Sequence, residues 1–183
     1  MEDQNSTTQL SKFLSYILRH HPEAIGLELD SQGWAHIPTL IKKANQEGKT
    51  LTRKTLQKVI ESGTKNRFTI SEDGSYIRAG YGHSIEVELS LAPQTPPEIL
   101  YHGTASKNVE SIMKNGLHSG SRNYVHLSAE KADAVSVGQR HGMPVVLSVD
   151  AQEMYRAGHP FYRSESEQGI RLVNRVPPQF ISE

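Results

Sequence analysis

Apolar residues recur with two different periods along the first 80 residues, and the change of period separates helices from a hairpin. In TTQLSKFLSYILRH they lie three and four positions apart, which predicts a helix with Thr7 or Thr8 as its N-cap. A short extended piece in GLELDSQGWAHI precedes two shorter predicted helices, PTLIKKANQEG and LTRKTLQKVIESG, the latter capped by Thr52. Apolar and polar residues then alternate in RFTISEDGSYIRA around Asp73-Gly74, which is typical of a β-hairpin. This order of elements is that of a winged helix.

Beyond residue 90 the pattern changes to short strands alternating with short helices. The segment 91–98, LAPQTPPE, contains three prolines and is predicted to link two domains. Strands are then predicted in EILYHGT, NYVHLS, MPVVLSVD and QGIRLV, and helices in SKNVESIMKNG, EKADAVSVGQRHG and AQEMYRAG. We therefore predict an α+β protein with a winged-helix lobe at 1–90, a linker at 91–98 and a mixed α/β lobe at 99–183.

Composition narrows the class of protein without identifying it. The chain has 183 residues, of which 36% are hydrophobic, so it can bury a core. It has no cysteine, which excludes disulfides and thiolate zinc sites, and no apolar run long enough to span a membrane. The N-terminus, MEDQNSTTQL, lacks the features of a signal peptide. We therefore expect a cytoplasmic protein and, without a heptad pattern, a monomer.

Positive charge is concentrated in one stretch of a chain whose formal net charge is +0. Between Lys42 and Arg67 there are eight basic residues and two acidic ones. Such an excess favours a phosphate-bearing partner, and it is equally typical of a solvated helix face.

The end of the first helix contains more basic groups than a helix terminus needs. Arg19, His20 and His21 stand side by side before Pro22, in YILRHHPE. A proline and one basic residue would suffice to end the helix and complement its dipole. The remaining cationic groups are therefore candidates for chemistry.

Two predicted strands of the second lobe each contain a histidine and a hydroxyl. YHGT places His102, Gly103 and Thr104 at a strand end, where a ligand amide could pair with the Gly103 backbone and a ribose hydroxyl with His102. On its own, YHGT is better explained as a strand-end turn with an incidental histidine. In SRNYVHLS, His126 and Ser128 lie two apart and so share one strand face.

Several other classes of site are excluded by missing motifs. The chain has no H-E-x-x-H and no paired histidines at helical ligand spacing, so we predict no metal site. It also lacks the G-x-S-x-G elbow of serine hydrolases and the glycine motifs of Rossmann and P-loop nucleotide sites.

Taken together, these motifs resemble the RNA 2′-phosphotransferases, the NAD-dependent enzymes that remove a 2′-phosphate from RNA. The resemblance covers almost the whole chain, in order. It rests on LSKFLSYILRHHPEAIGLELDSQGWAHI, KNRFTI, IRAGYGHSI, LYHGT, SRNYVHLS, VGQRHG and VPPQFI. It implies an N-terminal winged-helix lobe for RNA and a C-terminal lobe of the ADP-ribosyltransferase type.

The resemblance also implies an essential set of an Arg-His pair and two further arginines. Here these match Arg19 with His20, Arg67 of KNRF and Arg122 of SRNYVHLS. In the implied reaction, a 2′-phosphate oxygen attacks the anomeric carbon of the nicotinamide ribose of NAD and expels nicotinamide. The 2″-hydroxyl of that ribose then attacks the phosphorus, which gives RNA with a free 2′-hydroxyl and ADP-ribose 1″,2″-cyclic phosphate. No metal is needed.

Further contacts follow from the same resemblance. RNA contacts are expected from Lys54, Lys65 and His83, and the GHS at 82–84 that contains His83 is a candidate for contact with NAD as well as RNA. NAD contacts are expected from His102, Gly103, Thr104, His126, Leu127, Ser128 and Arg140. Arg140 is equally well explained as an arginine that satisfies carbonyls at a helix C-terminus.

The chain departs from related sequence patterns in its last strand. Many protein-modifying ADP-ribosyltransferases have a glutamate there, whereas QGIRLVNR has none, and Glu165 and Glu167 fall in a predicted loop upstream. The family tends to have a hydrophobic-aromatic pair followed by Thr where this chain has Arg171, Leu172 and Val173.

Two alternative functions are compatible with the same motifs. One is an ADP-ribosyltransferase that caps terminal phosphates of RNA or DNA and stops after the first step. The other is a winged-helix regulator whose second lobe senses NAD without turnover.

Overall fold

The polypeptide folds into two units, each with its own hydrophobic core. The computed structural model describes residues 2–63, 65–89 and 91–183, with side chains from Ser6 onward. The first unit comprises Met1–Ser90 and Glu165–Glu167, and the second comprises Leu91–Ser164 and Gln168–Glu183. Three residues from the C-terminal half of the chain therefore belong to the first unit. Both units combine helices with strands, which confirms the predicted mixture of α and β structure.

The described elements of the first unit form a helical layer and a small antiparallel sheet. In chain order they are helix α1 (Glu2–Arg19), a 3₁₀ helix (Pro22–Ile25), strand β1 (Ala35–His36), helices α2 (Ile37–Gln46) and α3 (Arg53–Ser62), and strands β2 (Phe68–Ile70) and β3 (Tyr76–Ala79). The sheet order is β1-β3-β2, with both pairings antiparallel. This is the order of elements expected from the sequence.

The start of α1 differs from its prediction, whereas its end agrees. The helix begins at Glu2, so Thr7 and Thr8 lie inside it and the predicted N-cap is wrong. Apolar periodicity begins only at Leu10, and a polar first turn gives no periodic signal. The helix ends at Arg19, and Pro22 opens the following 3₁₀ helix.

Local capping and turn chemistry account for α3 and the β2–β3 hairpin. Thr52 caps α3 as predicted, and its hydroxyl accepts the N–H of Thr55 while the Thr55 hydroxyl accepts that of Thr52. The turn places Gly74 at φ +73°, where glycine is favoured. Arg53 on α3 donates from Nη1 to the Gly74 carbonyl at 2.9 Å, which fastens the helix to the turn.

The core of the first unit is built from the apolar faces identified by helical spacing. Leu14, Ile17 and Leu18 of α1 are completely buried, and Leu40 of α2 and Ile77 of β3 pack in the same cluster. Burial of these side chains places the C-terminal end of α1 beside the sheet, and Arg19 is the next residue along the chain.

The second unit is a larger antiparallel sheet with helices. Its described elements are strand β4 (Ile99–Ala105), helix α4 (Ser106–Asn115), strands β5 (Leu117–His118) and β6 (Val125–Ser128), helix α5 (Lys131–Gln139), strand β7 (Pro144–Asp150), helix α6 (Ala151–Arg156), strands β8 (Tyr162–Arg163), β9 (Ile170–Val173) and β10 (Arg175–Val176), a 3₁₀ helix (Pro178–Phe180) and strand β11 (Ile181–Ser182). The predicted strands and helices are all present. The two-residue strands were missed because they are too short to show a period.

Six of these strands form one sheet in the order β11-β7-β4-β6-β9-β8. Strand β4 pairs with β7 along its whole length, from Ile99↔Asp150 to Ala105↔Pro144. On its other side, the described ladder to β6 consists of the pair Tyr101↔Ser128. Beyond Tyr101, the described residues of β4 have no ladder pairing with β6. The Pro-rich segment is part of this unit, since the Gln94 N–H donates to the Phe161 carbonyl at 2.8 Å.

Helix α5 packs so closely on β4 that a side chain at Gly103 has no room. A Cβ at Gly103 would lie 1.7 Å from the Ala134 carbonyl oxygen and 2.9 Å from the Gly138 nitrogen. The glycine of YHGT is therefore needed for helix-on-strand packing.

The structure contains a described helix of 18 residues, α1, but neither it nor any other described helix is apolar enough to cross a membrane.

Replacing Gly103 by alanine should destabilise the second unit, because the added methyl group must push α5 away from β4. We expect the free energy of unfolding to fall by about 3 kcal/mol or more, measured by urea denaturation. Ser136→Ala on the exposed part of α5 serves as the control and should change it by less than about 0.5 kcal/mol. Equal stability of the two variants would contradict the observed packing.

Candidate functional site

Arg19 ends α1 as a buried arginine, with 9% of its surface exposed. Its guanidinium carbon lies 4.6 Å from the centre of the Tyr81 ring, a cation–π contact. A Cβ at Gly82 would lie 3.2 Å from that carbon, and Gly82 has φ +86°. The Arg19 carbonyl accepts the N–H of Ser84 at 3.0 Å. The chain after β3 is thus shaped around this arginine.

His20 and His21 have different surroundings although they are adjacent. His20 Nδ1 is hydrogen-bonded to the Ser84 hydroxyl at 2.8 Å. His21 is exposed, and its Nδ1 lies 2.8 Å from Glu23 Oε1, a hydrogen bond that lowers the pKa of this carboxyl. His21 also contacts the Tyr16 ring. Of these two histidines, only His20 has its described hydrogen bond to the residues after β3, and the same residues contact Arg19.

Arg67 lies just before β2, half-buried, at the open end of the β2–β3 ladder. Its carbonyl accepts the N–H of Gly80 at 3.0 Å. The preceding backbone N–H, that of Asn66, donates to Glu167 Oε2 at 2.9 Å. The backbone on both sides of the Arg67 side chain is therefore held by hydrogen bonds.

One five-residue segment connects the three predicted phosphate ligands of the first unit. Residues 80–84, GYGHS, follow β3 directly and hold the Arg67 carbonyl through Gly80, the Arg19 guanidinium through Tyr81 and the His20 ring through Ser84. The sequence reasoning selected Arg19, His20 and Arg67 but missed this segment's role. The glycines on either side of Tyr81 were the signal that close backbone approach occurs there.

His83 points into the first unit, so its side chain presents almost no surface to RNA, and contact with RNA stays a prediction for this residue. It is 2% exposed, and in the described structure its Nε2 is buried without a hydrogen-bond partner. Burial, followed by the positive charges of Arg19, His20 and Arg78, lowers its pKa from 6.5 to about 4. His83 is therefore neutral at neutral pH and lies beside the cationic groups.

Arg78 is a second buried arginine that the sequence reasoning did not identify. It is 7% exposed, and its guanidinium stacks over Trp34 at 4.4 Å. Its Nε and Nη2 both donate to Glu165 Oε2, at 2.9 and 2.5 Å, and Nη1 donates to the Gln32 carbonyl. Glu165 and Glu167, expected in a loop of the second lobe, thus provide carboxylates to the first unit.

Of the two lysines predicted to bind RNA, one lies on α3 and the other in the segment that leads into β2. Lys54 is exposed on α3, and Lys65 is half-buried two residues before Arg67. They are accessible to a polyanion, and RNA contact stays a prediction for both.

In the second unit, Arg122, His126 and His102 form a chain of hydrogen bonds. Arg122 Nη1 lies 2.9 Å from His126 Nδ1, and a guanidinium only donates, so this nitrogen accepts. The His126 carbonyl in turn accepts from His102 Nδ1 at 3.3 Å. These contacts place the proton of the neutral ring on Nε2 in His126 and on Nδ1 in His102.

His102 is neutral at neutral pH and can accept a hydrogen bond at Nε2. Burial lowers its pKa, the hydrogen bond to the His126 carbonyl opposes that effect, and the charge of His141 adds to it. Thr104, two residues further along the same strand face, is 5% exposed, and its hydroxyl accepts from Asn108 at 3.4 Å.

The remaining predicted NAD contacts have varied surroundings. The Leu127 side chain is completely buried in the core, so only its backbone is available to a ligand. Ser128 is half-buried and pairs with Tyr101, while Arg140 is exposed directly after α5. Gly103 has its Cα against α5. The described residues contain no group of three or more His, Asp or Glu side chains that could hold a metal ion.

The depressed pKa of His83 should make stability depend on pH. In the unfolded chain this imidazole takes up a proton below its usual pKa of 6.5, whereas the folded protein keeps it neutral to about pH 4. The contribution of this neutral ring to the free energy of unfolding is therefore fully present above about pH 6.5 and is lost as the pH falls toward 4. Between pH 7 and pH 5, wild type should lose about 2 kcal/mol more unfolding free energy than His83→Gln, measured by urea denaturation. Parallel pH profiles would contradict the burial of a neutral ring.

Comparison with known proteins places the chain among RNA-processing enzymes. Residues 5–173 match the model of "RNA 2′-phosphotransferase, Tpt1 / KptA family". A protein of Pseudomonas aeruginosa (strain UCBPP-PA14) named "Probable RNA 2′-phosphotransferase" is 50% identical over 99% of both chains. Proteins with the same name from Pectobacterium carotovorum subsp. carotovorum (strain PC1) and Acaryochloris marina (strain MBIC 11017) are each 51% identical, over 94% and 95% of this chain and 92% and 95% of their own. The chain belongs to the RNA 2′-phosphotransferase, Tpt1 / KptA family.

Proposed function

We propose that this protein removes an internal 2′-phosphate from RNA by transferring it to NAD, and that it needs no metal to do so. The products are RNA with a 2′-hydroxyl, nicotinamide and ADP-ribose 1″,2″-cyclic phosphate. The observation that carries the proposal is the segment 80–84, which contacts Arg19 and His20 and holds the backbone of Arg67. Family membership supports the RNA phosphate as the substrate.

The first unit is proposed to be a winged helix that binds RNA. Its helices and its β1-β3-β2 sheet follow one another in the order that such a domain requires. Helix α3 then occupies the position that faces nucleic acid in winged helices, and Lys54 lies exposed on it. Since most affinity for nucleic acid comes from the phosphate backbone, this basic helix suits the role.

The second unit is proposed to be an ADP-ribosyltransferase-like lobe that binds NAD. The end of the described β4–β6 pairing at Tyr101 supports this, because His102, Gly103 and Thr104 follow on β4 without a ladder partner on that side. The neutral His102 presents Nε2 as an acceptor suited to a ribose hydroxyl. His126, Ser128 and the Leu127 backbone follow on β6, and Arg140 suits the pyrophosphate.

The arginines are proposed to bind and neutralise the phosphate through both steps. A 2′-phosphate has a second pKa of about 6, so it is largely a dianion at neutral pH. It can attack the ribose without help from a protein base. The second step places charge on a phosphorus that is attacked by the 2″-hydroxyl, and the forked guanidinium groups of Arg19, Arg67 and Arg122 suit that charge.

His20 is proposed to act on the same phosphate, by direct contact or by proton transfer. Its hydrogen bond to Ser84 fixes the ring orientation in either role. Histidine titrates in the range that proton transfer at two hydroxyls requires.

The reaction itself is tested with a short RNA that has one internal 2′-phosphate, incubated with and without NAD in the absence of added metal. We expect NAD-dependent loss of the phosphate and formation of the cyclic phosphate, followed by mass spectrometry. Arg67→Ala and Arg122→Ala should each lower the single-turnover rate on the order of 10²-fold, because each removes a charge-assisted contact to the transition state.

Arg156→Ala provides the matched control, because Arg156 is an exposed arginine paired with Glu153 on α6. Its rate should stay within about twofold of wild type, as for surface residues generally. Accumulation of ADP-ribosylated RNA would favour the capping enzyme instead. NAD binding without any turnover would favour the regulator.

The lysines should contribute to RNA affinity through charge alone. Lys54→Ala and Lys65→Ala should weaken binding of the 2′-phosphorylated RNA and of unrelated RNA to the same extent. Each loss of a phosphate contact should reduce the slope of log affinity against log salt by about 0.7 to 1. Lys114→Ala, an exposed lysine at the end of α4, should leave the slope unchanged. An unchanged slope for Lys54→Ala and Lys65→Ala would show that RNA binds elsewhere.

A further inference from the structure

The three residues Glu165, Ser166 and Glu167 belong to the first unit, where each contacts β3 or a residue that flanks the β2–β3 hairpin. The Glu165 carboxylate binds Arg78 of β3, and the Glu167 carboxylate accepts the N–H of Asn66 before β2. We call residues 165–167 the acidic strap. Since it lies far along the chain from the hairpin, these contacts are tertiary and could not be inferred from local sequence.

The middle residue of the acidic strap requires a glycine directly after β3. A Cβ at Gly80 would lie 2.1 Å from Ser166 Oγ and 3.0 Å from the Ser166 backbone nitrogen. The φ of Gly80 is outside the left-handed region, so space rather than conformation favours glycine. Gly80 is also the residue whose N–H binds the Arg67 carbonyl at 3.0 Å. The strap therefore packs on the group that holds Arg67.

From these contacts we infer that Glu167 is a positioning residue for Arg67, and so for recognition of the 2′-phosphate. Its carboxylate fixes the peptide before Arg67, while Ser166 packs against the glycine that fixes the peptide after it. The Arg67 side chain is thereby anchored at its base on both sides. The inference rests on the proposed function, in which Arg67 grips the substrate phosphate.

A positioning role and simple charge repulsion predict opposite changes in the affinity for phosphate when the Glu167 carboxylate is removed. A carboxylate near an anion-binding arginine repels phosphate, so its removal would by Coulomb's law tighten binding. Loss of a positioning hydrogen bond would instead let Arg67 move and weaken binding. The sign of the change in Glu167→Ala therefore separates the two roles.

The test measures the affinity of two RNAs of one sequence, with and without the 2′-phosphate, in the absence of NAD. The ratio of the two affinities reports the phosphate contact alone. In Glu167→Ala this ratio should fall about three- to tenfold, the value of one hydrogen bond. Binding of the RNA without the phosphate should not change. In Glu167→Gln, whose amide oxygen accepts the same N–H without the charge, the ratio should equal or exceed that of wild type.

Two further variants connect the effect to Arg67 and exclude a general loss of acidic charge. Arg67→Ala combined with Glu167→Ala should have the same ratio as Arg67→Ala alone, because Glu167 acts only through Arg67. Glu72→Ala removes an exposed carboxylate from the same hairpin and should leave the ratio within about twofold of wild type. If Glu167→Ala does not fold, Glu167→Asp replaces it in the test. The aspartate side chain is one methylene shorter, so its carboxylate is withdrawn from the Asn66 N–H and the ratio of affinities should fall.

The possible outcomes distinguish this inference from the proposed function. A ratio that is unchanged or higher in Glu167→Ala, or a further loss in the double variant, would overturn the positioning role while wild type still recognises the phosphate. A ratio of one in wild type, unaffected by Arg67→Ala, would overturn the phosphate site itself.

Discussion

The first unit's candidate site depends on the burial of a single guanidinium, that of Arg19. A buried cation is costly unless its surroundings stabilise it, and here the face of Tyr81 does so. The chain must then turn at Gly82, because any side chain there would meet the guanidinium. That turn directs the Ser84 N–H to the Arg19 carbonyl and the Ser84 hydroxyl to His20. The placement of the histidine therefore follows from accommodating the arginine.

The same cationic surroundings determine the state of His83. Its ring is buried next to Arg19, His20 and Arg78, so protonation would add a further positive charge beside two arginines, away from solvent. The ring stays neutral, and the positive potential of the unit comes from arginines that remain charged at every relevant pH. Under the proposed function, a phosphate dianion benefits from this arrangement, because the arginine charge that meets it does not titrate away near neutrality.

The parts of this structure that the sequence predicted are those with a local cause. Apolar spacing, the Thr52 cap and the Asp73-Gly74 turn each act within a few residues, and all three appear as expected. The resemblance selected Arg19, His20 and Arg67, but the contacts that hold them come from Tyr81, Gly80 and Ser84. Those contacts, the burial of His83 and the transfer of Glu165–Glu167 to the first unit result from tertiary packing. Only the glycines that flank Tyr81 indicate a close approach of the backbone, and spacing along the chain contains no signal for the burial of His83 or for the place of Glu165–Glu167.

Under the proposed function, the residues on the last strands of the second unit suit a phosphate acceptor better than a protein acceptor. Where the proposed likeness to protein-modifying ADP-ribosyltransferases would lead one to expect a glutamate, β9 has Arg171, paired in register with Arg163 and Leu127. Burial and the charge of Arg163 lower the Arg171 pKa, and its Nη1 donates to the Gln168 carbonyl at 2.5 Å. The glutamates nearest in sequence are in the acidic strap, where one pairs with Arg78 and the other holds Asn66. A carboxylate beside the incoming dianion would repel it. An anionic acceptor is therefore consistent with the arginines on β8 and β9 and with glutamates that contact Arg78 and Asn66 of the first unit instead.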